Sequence, residues 1–385
     1  MSANVTITFG LFLLTHFFQS CGKSEAEGTN ETATTAGVST EIGSESTAQP
    51  LSNCKASERP VFTAHVTDLD KIAAVTPLGG VGGGGTEIVG RSYVFPKGSI
   101  RNSGEAVPIY APVDMELKAS IKYIPPGAAA DYQPDWALAF EVNCDVTVSF
   151  AHIKFVDPAI DATWPGAASE HSGPVEVKKR IPFKAGEKIG EWVGSAHAVA
   201  FDYIVEDKSS SAVYANQARY VNNSWRFQKC PYDYYPETMK VQWYAKLGNS
   251  TQPIAGTKCG GPSADVPGTL AGEWFWDQTA SNGMGEITMQ GAFGNPLPLA
   301  SDALGVLTVG HIGSLQGMRF YGVDRPENIS MRNGAHCYEM AQNIGLPQGY
   351  VYLKFVADDH IKVNYSATEA CPVNFPEAGS KDYYR

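Results

Sequence analysis

The sequence lacks a concentrated basic region, sustained helical periodicity and any apolar run long enough to cross a membrane. It has 29 Lys and Arg against 40 Asp and Glu, a net charge of −11, whereas binding to nucleic acid needs a concentrated basic face. Its 39 Gly and 24 Pro interrupt most windows of helical period, so short strands and turns are expected. We therefore predict a mainly β protein that binds no nucleic acid. The one basic run, Lys178–Arg180, is typical of a solvated turn.

The N-terminus carries a short apolar segment that ends at a cysteine. Residues Val5–Phe18 are mostly apolar, and Gln19-Ser20-Cys21-Gly22 follows them. A segment of this kind is too short for a spanning helix and is typical of a bacterial lipoprotein signal. We predict a signal peptide over residues 1–20 and acylation of Cys21, whose several acyl chains would anchor the protein to a membrane. A plain secretory signal is the alternative, because no Lys or Arg precedes Lys23.

Residues 22–53 contain no aromatic side chain and are rich in Ser, Thr, Glu, Gly and Ala. Such a segment buries too little apolar area to offset the entropy lost on ordering. We predict a disordered tether over residues 21–54, with the lipid on its first residue. Gly22, in place of the Asp that signals inner-membrane retention, favours the outer membrane or the cell surface.

Six cysteines remain after Cys21, and an even number in an exported chain favours disulfides. They are Cys54, Cys144, Cys230, Cys259, Cys337 and Cys371. Proximity along the chain favours the pairs Cys230–Cys259 and Cys337–Cys371, which leaves Cys54 with Cys144. Fifteen connectivities stay open from the sequence alone. No Cys-x2-Cys or Cys-x3-Cys spacing exists, so a structural zinc cluster is not expected.

Strand patterns recur along the chain, and alternation of apolar and polar residues is clear in several of them. The predicted strands are 91–95, 115–124, 136–142, 146–155, 198–206, 305–309, 318–323, 350–355 and 361–366. The one helical pattern is short, around 235–247. We predict a β-sandwich or barrel-like first domain over residues 55–225, a linking segment over 226–262 and a second, small β domain over 263–385.

Three segments of the first domain resemble the β-rich core of the lysostaphin or LytM-type endopeptidases, which are zinc enzymes of peptidoglycan with a duplicated hybrid motif. The segments are VPIYAPVDMEL (107–117), VTVSFAHIKF (146–155) and PFKAGEKIGEWVGSAHAVAFDYIVED (182–207). The first is similar to the family's Gly-x-Pro-Val-x-Ala-Pro-x-Asp-Gly hairpin. The third contains a turn that resembles the family's connector, in which Gly186 and Gly190 are expected at positive φ. The resemblance implies a peptidase-like β fold with a cleft.

The residues that would bind zinc in that family are mostly replaced here. Residues 92–101, where the resemblance implies the first ligand pair, contain neither His nor an acidic residue. His152 matches the His of the Tyr-x-His-Leu element, and Asp202 stands where a ligand His belongs, with His197 upstream. We therefore expect no catalytic residue and no cofactor, and the only metal-ligand candidates are His152 and Asp202. The expected lining of a metal-free binding cleft is Tyr93, Tyr110, His152, His197 and Asp202.

The second half offers one aromatic cluster, Trp274-Phe275-Trp276. Aromatic faces suit the apolar faces of sugars, so the cluster could form a stacking platform, and packing in the core is the other interpretation.

These patterns together predict a lipid-anchored envelope protein whose peptidase-like domain is catalytically inactive. Its expected partners are cell-wall glycan or peptide, or an envelope protein that works on the wall. The alternatives are an active zinc-dependent cell-wall endopeptidase with a rearranged ligand set, and a secreted structural or adhesion protein.

Overall fold

A computed structural model describes fourteen segments of the chain. They are residues 58–79, 81–82, 87–88, 90–124, 132–166, 175–194, 198–220, 224–275, 297–301, 307–309, 318–320, 324–339, 349–366 and 368–385. The predicted signal peptide, Cys21, the tether, Cys54, His197 and Trp276 lie outside these residues.

The mainly β fold is confirmed, since strands far outnumber helices. In chain order the strands are β1 (Ile72–Val75), β2 (Val81–Gly82), β3 (Glu87–Ile88), β4 (Ser92–Pro96), β5 (Val107–Tyr110), β6 (Met115–Tyr123), β7 (Asp135–Glu141), β8 (Val146–Ile153), β9 (Phe155–Val156), β10 (Val175–Phe183), β11 (Lys188–Trp192), β12 (Phe201–Asp207), β13 (Gln228–Lys229), β14 (Gly272–Trp274), β15 (Leu297–Ser301), β16 (Leu307–Val309), β17 (Met318–Phe320), β18 (Ala335–Glu339), β19 (Tyr350–Ala357), β20 (His360–Ser366) and β21 (Lys381–Tyr384). The helices are α1 (Gly98–Ser103), α2 (Pro158–Asp161) and α3 (Glu237–Tyr244). Short 3-10 helices occur at Leu69–Lys71, Gln217–Tyr220, Ser224–Phe227, Pro231–Tyr234, Pro326–Asn328 and Met331–Asn333.

The first domain is built on a large antiparallel sheet in the order β1-β4-β12-β8-β7-β6-β10, with β13 paired to β12. A second sheet, in the order β5-β11-β9, packs on one face of it. Alternation explains the packing: Val148 and Phe150 of β8 enter the core between the sheets, and Ala151 lies on the other face. We call this other face of the large sheet, which carries Ile121, Ala137 and Ala151, the second face. None of the sheets formed by the described strands closes into a barrel.

The predicted linking segment contributes side chains to the same core. Tyr232, Trp243 and Leu247 are fully buried in it, and the ring of Tyr232 stacks on that of Trp243 at 5.0 Å. Helix α3 lies within the helical pattern predicted around 235–247. Residues 226–262 therefore pack as part of the first domain.

The second half forms two four-stranded antiparallel sheets, β14-β15-β16-β17 and β18-β19-β20-β21. Their core contains Trp274, Val351 and Ile361. The stacking-platform interpretation is wrong for Trp274 and Phe275, because these side chains are 0% and 1% exposed. Both pack inside the protein and present no face to a sugar.

Two glycines of the connector play different parts. Gly186 has φ +83°, as predicted. The prediction of positive φ for Gly190 is wrong, because this residue lies in β11 and pairs with Val156 of β9. A Cβ at Gly190 would stand 2.5 Å from the carbonyl oxygen of Phe155, so glycine is needed there for close approach of two strands. The basic run Lys178–Arg180 lies in strand β10 and not in a turn.

Two predicted disulfides are confirmed, Cys230–Cys259 and Cys337–Cys371. Cys144 is also disulfide-bonded, while its predicted partner Cys54 lies outside the described residues. Disulfides are compatible with an exported protein. Within the described segments, no helix is both long and apolar enough to cross a membrane.

Candidate functional site

A β-bulge at the end of β8 places a histidine on the second face of the large sheet. Ile153 pairs with Trp136 and Ala151 pairs with Ala137, so His152 is the extra residue between two pairs. Regular alternation would direct His152 into the core, and the bulge directs it to the opposite face instead. His152 has φ +66°, the one positive φ among the described non-glycine residues. A conformation of this kind costs about 1–3 kcal/mol and needs support from its surroundings.

Asp135, at the start of β7, supplies that support. Its Oδ2 lies 3.2 Å from Nδ1 of His152, and its Oδ1 lies 2.7 Å from Nζ of Lys154. Lys154 Nζ also donates to the hydroxyl of Tyr132 and, at 3.2 Å, to the carbonyl of Gln133. The side chain of Asp135 is 0% exposed, so a fully buried carboxylate lies between an imidazole and an ammonium group.

The charges of this group stabilise one another. Burial by itself raises the pKa of Asp135, but the hydrogen bond and charge of His152, with the Lys154 ammonium, outweigh burial and hold that pKa below its usual range. Burial likewise lowers the pKa of His152, but the hydrogen bond to Asp135 and the charge of Asp202 outweigh it and raise that pKa. The arrangement therefore favours an ionised Asp–His pair.

A second ion pair lies beside the first on the same face. Asp202 of β12 pairs in register with Ala151 and with Tyr93. Its Oδ2 lies 3.5 Å from Nη1 of Arg91, and both side chains are at most 5% exposed. Nε of Arg91 donates to the hydroxyl of Tyr93 at 3.1 Å. We call Arg91, Tyr93, Asp135, His152, Lys154 and Asp202 the charged cluster.

The structure thus brings together three of the residues predicted to line a cleft, Tyr93, His152 and Asp202. Tyr110 lies apart from them in β5. This strand belongs to the smaller sheet, which packs on the face of the large sheet opposite the second face. Burial, followed by the charge of Asp68, raises the pKa of Tyr110. His197 lies outside the described residues, so its predicted role stays a prediction.

Sequence reasoning missed Arg91, Asp135 and Lys154. Arg91 precedes Tyr93 by two residues, and the period of two in a strand would have placed both on one face. Asp135 is the first residue of a strand whose next residues, Trp136–Phe140, are apolar. A single acidic residue in a buried strand needs a hydrogen-bonded or oppositely charged partner. The signal for Lys154 was hidden, because the bulge at His152 changes the alternation before it.

The cluster does not fit a metal ion. A catalytic zinc site needs three neutral or anionic ligands and an open position for water. Both predicted metal-ligand candidates already have charged partners of the protein, Asp135 for His152 and Arg91 for Asp202. Two fixed cations, Arg91 and Lys154, would repel a divalent ion. Among the described residues, no three His, Cys, Asp or Glu side chains are grouped so as to hold a metal.

Burial limits what the cluster can do. The charged side chains are between 0% and 7% exposed as residues, so in this conformation they contact the protein and not a ligand. Tyr93, at the edge, is only half-buried. The cluster supports the second face of the sheet by paired charges.

Comparison of the chain with protein-family models, curated proteins and solved structures returns no match. The resemblance of residues 107–207 to the lysostaphin-type endopeptidases therefore stays a prediction from those residues.

Proposed function

We propose that the protein is an exported, lipid-anchored envelope protein whose first domain has a catalytically inactive peptidase-like architecture. This domain binds cell-wall glycan or peptide, or an envelope protein that acts on the wall. One observation carries the proposal: His152 and Asp202, the two residues at ligand-like positions, are neutralised by buried partners of the chain itself.

His152 and Asp202 are shielded from solvent as well as paired with charges. Hydrolysis by a zinc enzyme needs a metal-bound water and a base that can take its proton. His152 and Asp202 are 5% and 2% exposed, so neither side chain presents an open face to solvent. Removing either partner of such a buried ion pair leaves an uncompensated charge, which makes a rearranged ligand set costly. These features support binding without cleavage.

The rest of the chain supports the envelope location. An apolar segment before Cys21 and an aromatic-free stretch after it are consistent with an anchor and a tether. The two described disulfides suit a protein that folds in an oxidising compartment. An outer-membrane or cell-surface position is part of the proposal.

Binding to the wall is tested with the full chain carrying Cys21→Ser. This substitution removes the acylation site, so that the protein can be handled without detergent. We expect this protein to sediment with purified insoluble peptidoglycan. The control is an unrelated exported lipoprotein treated in the same way. Retention no greater than that of the control would contradict the proposal and favour the secreted structural or adhesion protein.

Metal content separates the proposal from the active endopeptidase. We expect zinc at background level in protein purified without chelator. Stoichiometric zinc that is lost in His152→Ala and kept in the matched variant His360→Ala would support the enzyme instead.

The anchor is tested by incorporation of labelled fatty acid in a bacterial host. We expect the wild-type chain to be labelled and to fractionate with membranes, and Cys21→Ser to be unlabelled and released. An unlabelled wild-type chain would show that the apolar segment is a plain secretory signal.

A further inference from the structure

A cavity of about 420 Å³ opens at the end of the large sheet away from the charged cluster. Its wall includes Asp207, the last residue of β12, and Lys229, the last residue of β13. Asp207 follows Asp202 by five residues, so about 17 Å of strand separates the cavity from the cluster. The volume falls in the range of sites that hold small molecules.

A disulfide joins two sides of this cavity. Cys230 follows Lys229 directly, and Cys259 precedes Gly260 and Gly261, which form part of the wall. A Cβ placed on Gly261 would have no heavy atom within 4 Å, so the space in front of this glycine is open. The wall is therefore held in place by a covalent bond.

Two cations, Arg59 and Lys229, line the cavity. The guanidinium of Arg59 lies 4.1 Å from the ring centroid of Tyr234, which fixes it over an aromatic face. Burial lowers the pKa of Lys229; the charge of Asp207 opposes this effect and that of Arg59 adds to it. Both side chains line the same cavity, and an anion between them would relieve the repulsion of their charges.

Both carboxylates of the wall already have hydrogen-bond partners in the protein. Asp207 accepts hydrogen bonds from the hydroxyl of Tyr234 at 2.7 Å and from the backbone nitrogen of Ser209 at 3.0 Å. Asp233 lies 2.5 Å from Nζ of Lys240 and accepts from the hydroxyl of Tyr244 at 2.8 Å. Lys240 lies outside the wall and pairs with Asp233, so Asp207 is the carboxylate of the wall that remains beside Arg59 and Lys229.

The rest of the wall suits a polar organic molecule. Ser209 and Ser210 present exposed side chains at the rim, and a hydroxyl can both donate and accept. Asp207 keeps room to accept from a hydroxyl or amide of a ligand, since a carboxylate has about four lone-pair sites. An inorganic ion would leave most of the 420 Å³ unfilled.

We propose that this cavity binds a small organic acid whose carboxylate lies between Arg59 and Lys229 and whose hydroxyl or amide groups reach Asp207 and the serines. Two sources of such a ligand, a carboxylated sugar and the carboxyl end of a short peptide, follow from the proposed function. The preference for a carboxylate depends on the cavity alone.

The test is calorimetric titration of the full chain carrying Cys21→Ser with two pairs of probes. The sugar pair is N-acetylmuramic acid and N-acetylglucosamine, which lacks the carboxylate. The peptide pair is trialanine and trialanine amide. We expect at least one acid to bind about tenfold or more tightly than its neutral counterpart, because hydrogen bonds between charged groups are the stronger ones. The pair that responds identifies the source.

Variants locate the binding. We expect Arg59→Gln and Lys229→Gln each to weaken the acid about tenfold, and Lys97→Gln, an exposed lysine outside the cavity wall, to leave it unchanged. Gly261→Leu should block the cavity. Gly166→Leu is its matched control, since a Cβ on Gly166 also meets nothing within 4 Å and this residue lies outside the wall.

Three results would overturn the proposal: no saturable binding of either acid, equal affinity for acid and neutral probe, or unchanged affinity in Gly261→Leu. The first two results are measured on the unaltered cavity. They can therefore contradict the proposal even if the cavity variants fail to fold. Loss of peptidoglycan sedimentation together with intact acid binding would count against the proposed function alone. Sedimentation that persists without acid binding would count against the cavity alone.

Discussion

His152 shows how one residue can be held in an unfavourable conformation by its partners. Its positive φ is costly for a side chain with a Cβ, and the buried hydrogen bond to Asp135 offsets that cost. The same aspartate pairs with Lys154. Asp135 is therefore the residue on which the charged cluster most depends.

Replacing Asp135 by Asn should lower the free energy of unfolding by about 3–5 kcal/mol, because it leaves the buried Lys154 ammonium without a counter-charge. Urea unfolding of Asp135→Asn and wild type measures the difference. Asp114→Asn is the matched control, since Asp114 forms an exposed pair with Lys184 and its loss should change stability little. Equal effects of the two substitutions would contradict the role given to the buried carboxylate.

The stability of the protein should depend on pH through the same pair. Because the folded pKa of His152 is raised above the ordinary 6.5, its stabilisation is complete below pH 6.5 and is lost as the pH rises through the folded value. Because the folded pKa of Asp135 is lowered from the ordinary 3.8, its stabilisation is present above pH 3.8 and is lost as the pH falls through the folded value. The pair thus stabilises most between pH 3.8 and 6.5.

Unfolding free energies measured from about pH 5 to 8 should fall on the alkaline side, by about 1.4 kcal/mol for each unit by which the pKa of His152 is raised. His152→Gln should remove that fall. His360→Gln should keep most of it, because the His360–Asp382 pair is partly exposed and screened. A fall that survives in His152→Gln would assign the pH dependence to another group.

At the scale of elements, the packing of the first domain depends on how closely β11 approaches β9. A Cβ on Gly190 would lie 2.5 Å from the carbonyl oxygen of Phe155 and 2.8 Å from Cγ2 of Ile153. Real Cβ atoms do not come this near to another heavy atom, so the strands would have to separate. This contact explains why the connector needs a glycine within a strand.

Gly190→Ala should lower the free energy of unfolding by about 1–3 kcal/mol, because overpacking forces a shift of the backbone. Gly166→Ala, which meets open space, should have little effect. Thermal and urea unfolding of the two variants provide the comparison. A neutral Gly190→Ala would show that β11 and β9 do not approach as closely as described.

At the scale of the whole molecule, two apolar cores are joined by a small aromatic cluster. Tyr214 and Tyr220 lie in the segment between β12 and β13, and they pack with Phe275 of the second half. The hydroxyl of Tyr220 donates to Oε2 of the buried Glu273 at 2.7 Å. This bond crosses from one half of the chain to the other.

Tyr220→Phe should destabilise the junction by about 1–3 kcal/mol, because a buried carboxylate loses a donor. Hydrogen exchange should become faster in β14 and in residues 214–220. Tyr350→Phe also loses one buried hydroxyl bond, to Asn364 at 2.8 Å, but within the C-terminal sheet. Its effect should be confined to β19 and β20, and faster exchange there alone in both variants would contradict a junction through Glu273.

Much of the fold could be predicted from local patterns. Strand β8 follows from the alternation of Val146-Thr-Val-Ser-Phe, and the two described disulfides follow from proximity along the chain. Strands β5 and β11, which pair with each other, were not among the predicted strands. The packing of Trp243 in the first core was also missed. Both depend on contacts between segments that are distant in the chain. The periodicity of residues within a short window carries no information about such contacts.

The candidate site was predictable in part. Tyr93, His152 and Asp202 were chosen from a resemblance, and the structure places them on one face. Their chemistry could not be chosen in this way, because it depends on Arg91, Asp135 and Lys154. These partners lie in positions where an ordinary strand would present a neutral side chain.

The sequence by itself determined that the protein is mainly β, and proximity along it favoured the pairs Cys230–Cys259 and Cys337–Cys371. Those properties reside in composition, period and spacing, which are local. The tertiary structure alone decided that His152 turns away from the core, that Asp135 and Arg91 neutralise the candidate ligands, and that Arg59 and Lys229 face one cavity. Burial and pairing of charges are relations between strands far apart in the chain, and folding creates them.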